Sequence, residues 1–135
     1  MKKFIISWTI IQLMAIIMAV EELTFPPIVI PGRFQRKSVN GCAFFGIVIF
    51  LRFGDRKFID IRTTLFHEFR HTWQFWHHPL VYMWWICHPS VSQKTYGTYN
   101  AIERDARAYA RSGRKRGMSK ILTLSYARRV AGLLD

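Results

Sequence analysis

The segment Thr63–Gln74 contains His67-Glu68-Phe69-Arg70-His71, two histidines four residues apart with a glutamate directly after the first. Four residues is one helical turn. At roughly 100° per residue, His67 and His71 lie about 40° apart on one face, with Glu68 about 60° beyond His71. Leu65, Phe66, Phe69, Trp73 and Trp76 fall on the opposite side. The segment therefore predicts a helix with one packing face and one polar cluster, and the rest of the chain has to cover the first without closing off the second.

That cluster has the chemistry of a hydrolytic zinc site. Two neutral imidazoles from adjacent turns bind Zn²⁺ and leave room for a third ligand and a water. A metal so held lowers the pKa of its water and polarises a carbonyl. Glu68, adjacent but not a ligand, has the position of the general base. The plainer alternative is a solvated helix face that happens to carry two histidines. The apolar far face and a suitable third ligand downstream favour the metal.

With 135 residues, the chain is expected to be one domain, 1–135. Half the residues are hydrophobic and 16% are aromatic, enough for a core. The net charge of +12 favours acidic partners, whether nucleic acid, anionic lipid or an acidic protein surface. Cys42 and Cys87 are isolated, which excludes a disulfide scaffold and a Cys-x-x-Cys zinc site. There are no internal repeats and no low-complexity segments.

Residues 1–20 begin Met1-Lys2-Lys3 and run apolar from Phe4 to Val20, interrupted by Ser7, Thr9 and Gln12. Three readings stand: a folded helix of the domain, a signal peptide cleaved after Ala19, or a membrane anchor. A cytoplasmic placement is favoured over export or anchoring. Residues 23–41 hold Pro26, Pro27, Pro31, Gly32 and Gly41, a connection with a short strand at Ile28–Ile30, made basic by Arg33, Arg36 and Lys37. Residues 42–53 are β-branched and aromatic and predict a strand; Gly54–Lys57 predicts a turn, and Phe58–Ile61 a second strand. Asp60 or Thr63 is expected to cap the motif helix, which should stop near His77-His78 because Pro79 follows. The aromatic cluster in 80–99 reads mainly as core. His77, His78 and His88 have no spacing that requires a second metal.

A further helix should begin near Asn100. Asn100-Ala101-Ile102-Glu103 has the form of a capping box, so Glu103 is either a structural cap or a ligand. Ala106 and Ala110 lie near its face and permit close helix approach; Arg107 shares the face and suits the orientation of a carboxylate. Delivered by a neighbouring helix, Glu103 completes a His67-His71-Glu103 set, while Asp105 projects nearly opposite it and is the weaker ligand candidate. Gly113 ends this helix at a basic hinge. Residues 118–134 predict an amphipathic helix with Lys120, Arg128 and Arg129 on its polar side.

The chain resembles the zincin metallopeptidases, in their gluzincin branch. The resemblance rests on His67-Glu68-Phe69-Arg70-His71 followed, 32 residues after His71, by Glu103-Arg104-Asp105-Ala106. Gln74 and the E-x-D-A stretch look like small metallopeptidase-like proteins of bacteria and their phages. The resemblance covers roughly residues 44–111. No Gly-x-x-His follows His71, so the metzincin pattern is absent. It implies zinc held by His67, His71 and Glu103, Glu68 as general base, and a sheet edge within 43–53 that pairs with an extended peptide. Related enzymes carry an Asp four residues after the ligand Glu to support a zinc-binding histidine. Arg107 stands there instead, so Asp60, Asp105 or a backbone carbonyl must take that role. Tyr96, Tyr99 and His88 are candidates for stabilising an oxyanion.

The expectation is an α+β, minimal zincin-like domain: a small sheet packed on the motif helix, a second ligand-bearing helix and a C-terminal amphipathic helix. Its expected function is zinc-dependent hydrolysis of peptide bonds. The alternative is an inactive zincin-like basic module that binds nucleic acid or an acidic protein. Attachment to a membrane through residues 1–20 is a third possibility; oligomeric state is left open.

Overall fold

The computed structural model describes residues 2–34, 38–54 and 56–134; Arg36, Lys37 and the turn residue Asp55 lie outside that set. The fold is α+β. It begins with Lys2–Glu21 as one uninterrupted helix, α1. Its inner face repeats at helical spacing, with Ile11, Ala15, Met18 and Ala19 all essentially inaccessible to solvent. Two polar side chains on α1 serve the adjacent strand, β1 (Ile28–Pro31). Gln12 accepts from Val29 N at 2.8 Å and donates to Pro27 O at 3.1 Å, and Trp8 donates to Val29 O at 2.8 Å. The Gln12 amide thus stands in for a neighbouring strand and covers an open sheet edge.

The sheet has the order β1-β3-β2, where β2 is Gly41–Phe44 and β3 is Val48–Leu51. β1 runs parallel to β3, and β2 antiparallel to it. The expected single strand over 42–53 is therefore a hairpin. Its turn has positive φ at Phe45 (48°) and Gly46 (69°), with Ile47 N donating to Phe44 O. Positive φ at both central positions matches the twist of the flanking strands. Gly46 has a second reason to be glycine: a Cβ there would meet Phe75 and Trp76 at 2.6 Å.

The expected strand at 58–61 is instead the first turn of α2 (Phe58–His77). Ile61 and Leu65 are buried while Phe58 and Ile59 are not, a helical rather than an alternating pattern. Neither Asp60 nor Thr63 caps α2. Lys57 holds the N-cap position without a side-chain bond, and Thr63 Oγ1 donates back to Ile59 O. α2 ends at His77, ahead of Pro79, as the sequence predicts. Two His-Pro pairs then partition the aromatic stretch: Pro79 begins α3 (Pro79–Cys87) and Pro89 begins α4 (Pro89–Lys94). α5 is Ala101–Arg111. The amphipathic segment is shorter than expected, a 3₁₀ turn at Ser119–Ile121 and then α6 (Leu124–Leu133), because Thr123 caps the latter by accepting from Tyr126 N. One apolar cluster joins α1, the sheet and α2; another joins α3, α5 and α6. α2 packs along α5 and, separately, against β2 and β3 of the sheet.

Candidate metal centre

His67, Glu68 and His71 lie on α2, and Glu103 is brought to them in the first turn of α5. Ala101 and Ala106 are fully buried and let the two helices approach closely. A second, buried link sets their register. Arg70, inside the histidine motif, makes a bidentate ion pair with Asp105, with Nε–Oδ2 at 2.7 Å and Nη2–Oδ1 at 3.1 Å. The guanidinium is stacked 3.7 Å from the centre of the Trp73 ring. Gly117 lies over this pair, where a Cβ would come within 2.4 Å of the guanidinium and 2.5 Å of the Asp105 carboxylate. Sequence periodicity pointed to the first of two parallel links between α2 and α5 and missed the second.

Among the described residues, His67, His71 and Glu103 form a three-donor cluster. His67 Nε2 is 3.1 Å from Glu103 Oε2, His71 Nε2 is 3.1 Å from Glu103 Oε1, and the two Nε2 atoms are 3.2 Å apart. Tetrahedral zinc with ligand bonds of about 2.0–2.1 Å separates its ligands by about 3.3 Å. The spacing and the N,N,O donor set therefore suit zinc. Asn100 caps α5 by accepting from Glu103 N, while the Glu103 carboxylate turns to the histidines. The capping box is therefore only half formed: Asn100 N donates to Thr95 O, and the Glu103 carboxylate takes no part in the cap.

The tautomer of His71 is fixed from behind. Gln74 is fully buried, and its Nε2 donates to Ile102 O and to Asp105 Oδ2, both at 2.8 Å. Both amide hydrogens are spent, so the atom 2.9 Å from His71 Nδ1 is an acceptor, Oε1. His71 therefore carries a hydrogen on Nδ1, and in its neutral form turns a bare Nε2 lone pair towards His67 and Glu103. The expected supporting carboxylate is absent from that position: Asp105 acts one bond further back, through Gln74, and Asp60 lies in the first turn of α2. Arg107 does not orient a carboxylate either; it donates to the backbone carbonyls of Glu103 and Tyr96.

Charge inside the cluster is strongly coupled. Burial alone would lower the pKa of His71, but the Glu103 carboxylate reverses this and raises it to about 9. Burial would likewise raise Glu103, and the charge of His71 with hydrogen bonds from both histidines pulls it well below the usual carboxylate range. Glu68 goes the other way. Its carboxyl is buried and raised, an effect the nearby histidines oppose without cancelling.

Glu68 stands between the histidines and strand β2. It accepts a backbone hydrogen bond from Ala43. Gly41 makes this approach feasible, since a Cβ there would lie 2.8 Å from Thr64 and 3.0 Å from the Glu68 side chain. An antiparallel ladder bonds alternate pairs. Arg52 N donates to Asn40 O, so Cys42 faces Phe50 in the next bonded pair, and Gly41 and Ala43 turn their backbone groups to the outer edge. That edge borders two adjoining hollows of about 410 and 190 Å³ that share Gly41, His67, Glu68 and Tyr96. Of the three proposed oxyanion donors, Tyr96 alone lines them. His88 is exposed and stacked on Trp84, and Tyr99 is exposed with its carbonyl accepting from Tyr126. Tyr96 is itself 54% exposed, but partial burial of its phenol against the site and the neighbouring Glu103 raise it to about 12. Arg107 and Arg111 complete the rim of the larger hollow.

No family profile, no curated protein and no solved structure matches the chain.

Proposed function

We propose that this protein is a zinc-dependent metallopeptidase of minimal zincin type, with His67, His71 and Glu103 as the metal ligands and Glu68 as the general base. The observation that carries the reading is the triangle of donor atoms at 3.1, 3.1 and 3.2 Å, with a carboxyl of raised pKa beside it. When bound, zinc supplies a Lewis acid that activates water and polarises a carbonyl. The chain's own residues supply the rest. Gln74 holds His71 in the tautomer that frees Nε2. Glu68, its basicity raised by burial, takes the proton of the attacking water and passes it to the leaving amine. Tyr96, protonated at neutral pH, donates to the oxyanion. The outward backbone groups of Gly41 and the carbonyl of Ala43, whose N–H is taken by Glu68, pair with an extended peptide and lay its carbonyl across the cluster. Arg107 and Arg111 at the rim favour acidic side chains in that peptide.

The test is zinc stoichiometry of purified wild type beside Glu103→Ala and Glu68→Gln, followed by a peptide-library cleavage screen. The reading expects about one zinc in wild type and in Glu68→Gln, little in Glu103→Ala, and cleavage by wild type alone. No zinc after reconstitution would overturn it. Arg111, Lys115, Arg116, Lys120, Arg128 and Arg129 are all exposed between the end of α5 and α6. They support the second reading, a basic module for nucleic acid, which predicts salt-sensitive binding without metal.

A further inference from the structure

The helix α1 is apolar on both faces, yet the protein covers only one of them. No charged residue lies between Lys3 and Glu21. The inner stripe is sealed against Val29, Leu51 and Phe69. The outer stripe is not: Ile6 is 58% exposed, Leu13 53%, Ile17 56% and Val20 71%. It continues past the helix into Leu23, 84% exposed, and Phe25, 64% exposed. A helix that is hydrophobic all round requires an apolar environment on every side, and the fold provides half of it.

The polar groups of α1 are consistent with a lipid-facing outer stripe. Thr9 is the polar residue on that side, and its hydroxyl donates at 2.8 Å to Ile5 O, inside the helix. Gln12 is turned to the sheet edge. Lys2 and Lys3 stand at the first turn; at the other end Glu21 is neutralised by Arg114, and Glu22 is outnumbered by the exposed Lys115 and Arg116 that follow Arg114 in the chain. We propose that the outer face of α1 lies in the plane of an anionic bilayer surface, apolar stripe in the acyl boundary and Lys2, Lys3, Lys115 and Arg116 among the headgroups.

Two other arrangements fit less well. A helix crossing the bilayer would strip Ile11, Ala15, Met18 and Ala19 from the core and break the bonds of Trp8 and Gln12 to β1. A parallel second copy on the same face would set Lys2 and Lys3 against themselves; an antiparallel one would bring them to an end where Glu21 is already paired with Arg114 and Lys115 and Arg116 outnumber Glu22. The small residues that favour close helix pairing, Ala15 and Ala19, are already used inside the fold.

The experiment is flotation of the full chain with phosphatidylcholine–phosphatidylglycerol vesicles against phosphatidylcholine alone, wild type beside Leu13→Glu/Ile17→Glu, with circular dichroism and light scattering on both. Wild type should float with the anionic vesicles, and the double variant, still folded because both positions are exposed, should lose binding about tenfold or more. A folded wild type that stays with the aqueous fraction would overturn the proposal. So would a wild-type dimer that the double variant converts to monomer without any flotation. Orientation is read in a Cys42→Ser/Cys87→Ser background with Lys3→Cys or Lys115→Cys, both exposed and placed at headgroup level at opposite ends of α1, and an impermeant maleimide added outside. In-plane docking leaves both positions reactive; protection of one of them would mean a spanning helix and refute the arrangement.

Discussion

Replacing Gln74 with methionine removes three hydrogen bonds at once while nearly conserving side-chain volume. The lost partners are His71 Nδ1 at 2.9 Å, Ile102 O at 2.8 Å and Asp105 Oδ2 at 2.8 Å, at a residue with no solvent exposure. Asp105 retains its bonds to Arg70 and Met118 N, so its charge stays compensated. The His71 N–H is orphaned, while the Ile102 carbonyl keeps its helical partner inside α5, so the metal-free protein should lose about 1–3 kcal/mol. A separate effect concerns the metal. Without Oε1 the ring of His71 is free to rotate and to shift its proton to Nε2, the atom proposed to bind zinc, which should weaken affinity about 10- to 100-fold. Denaturant unfolding of the apo protein reads the first term, and zinc competition against a chromophoric chelator at fixed pH reads the second. Glu68→Gln is the control that should retain affinity. If Gln74→Met lost stability as expected yet held zinc within about threefold of wild type, the argument that Gln74 fixes the ligand tautomer would be refuted, although the packing argument would stand.

The metal-free protein should show a distinctive pH profile. The folded pKa of His71 is raised from 6.5 to about 9, so its stabilisation is fully present below 6.5 and is lost as pH rises through 9; the full effect is on the order of 3 kcal/mol. Glu103, lowered in the fold, acts in the opposite sense, its contribution being present above the unfolded value of 4.5 and lost in acid. Apo stability measured by urea should therefore fall between pH 6.5 and 9 while zinc affinity rises, since metal and proton compete for His71. Gly117→Ala should cost about 1–3 kcal/mol in thermal unfolding, because its Cβ has no room over the Arg70–Asp105 pair; an unchanged midpoint would mean that the loop yields freely. Tyr96→Phe should keep one zinc and lower kcat about 100-fold with little change in KM. A fall in zinc content would instead make Tyr96 a support of Glu103.

What the sequence made legible was chemistry that repeats within one helix. His67, Glu68 and His71 announce their own geometry, because one helical turn is all it takes to align them. Glu103 was legible as a candidate with a structural cap as its alternative; in the structure Asn100 caps the helix by accepting from its N–H, while its carboxylate leaves Asn100 N to Thr95 O and reaches both histidines. Gln74 was nearly legible, since i+3 from His71 is an adjacent site on the same helix, but no local rule says which of its amide atoms faces the ring. That is decided by Ile102 and Asp105 on another element. The Arg70–Asp105 pair was out of reach for the same reason, its meaning lying in a distance across 35 residues.

The errors in secondary structure have a common cause. Residues 42–53 and 58–61 are rich in β-branched and aromatic side chains, and such composition reports burial as readily as strand. Gly46 carried the missing information, being the position in the apolar run where positive φ and the rings of Phe75 and Trp76 both require the absence of a Cβ. At 58–61 the deciding fact was the spacing of Ile61 and Leu65, which continues the packing face of α2 by one more turn. Gly41 and Gly117 make the same point for the site itself. Gly41 read in the sequence as part of a connection and Gly117 carried no expectation, yet both let groups pack where a methyl would not fit: β2 against Glu68, and the 117 loop against Arg70 and Asp105. The proposed metal centre depends on these close approaches, because a chain of this length has too little structure to hold two helices and a strand in register by bulk packing alone.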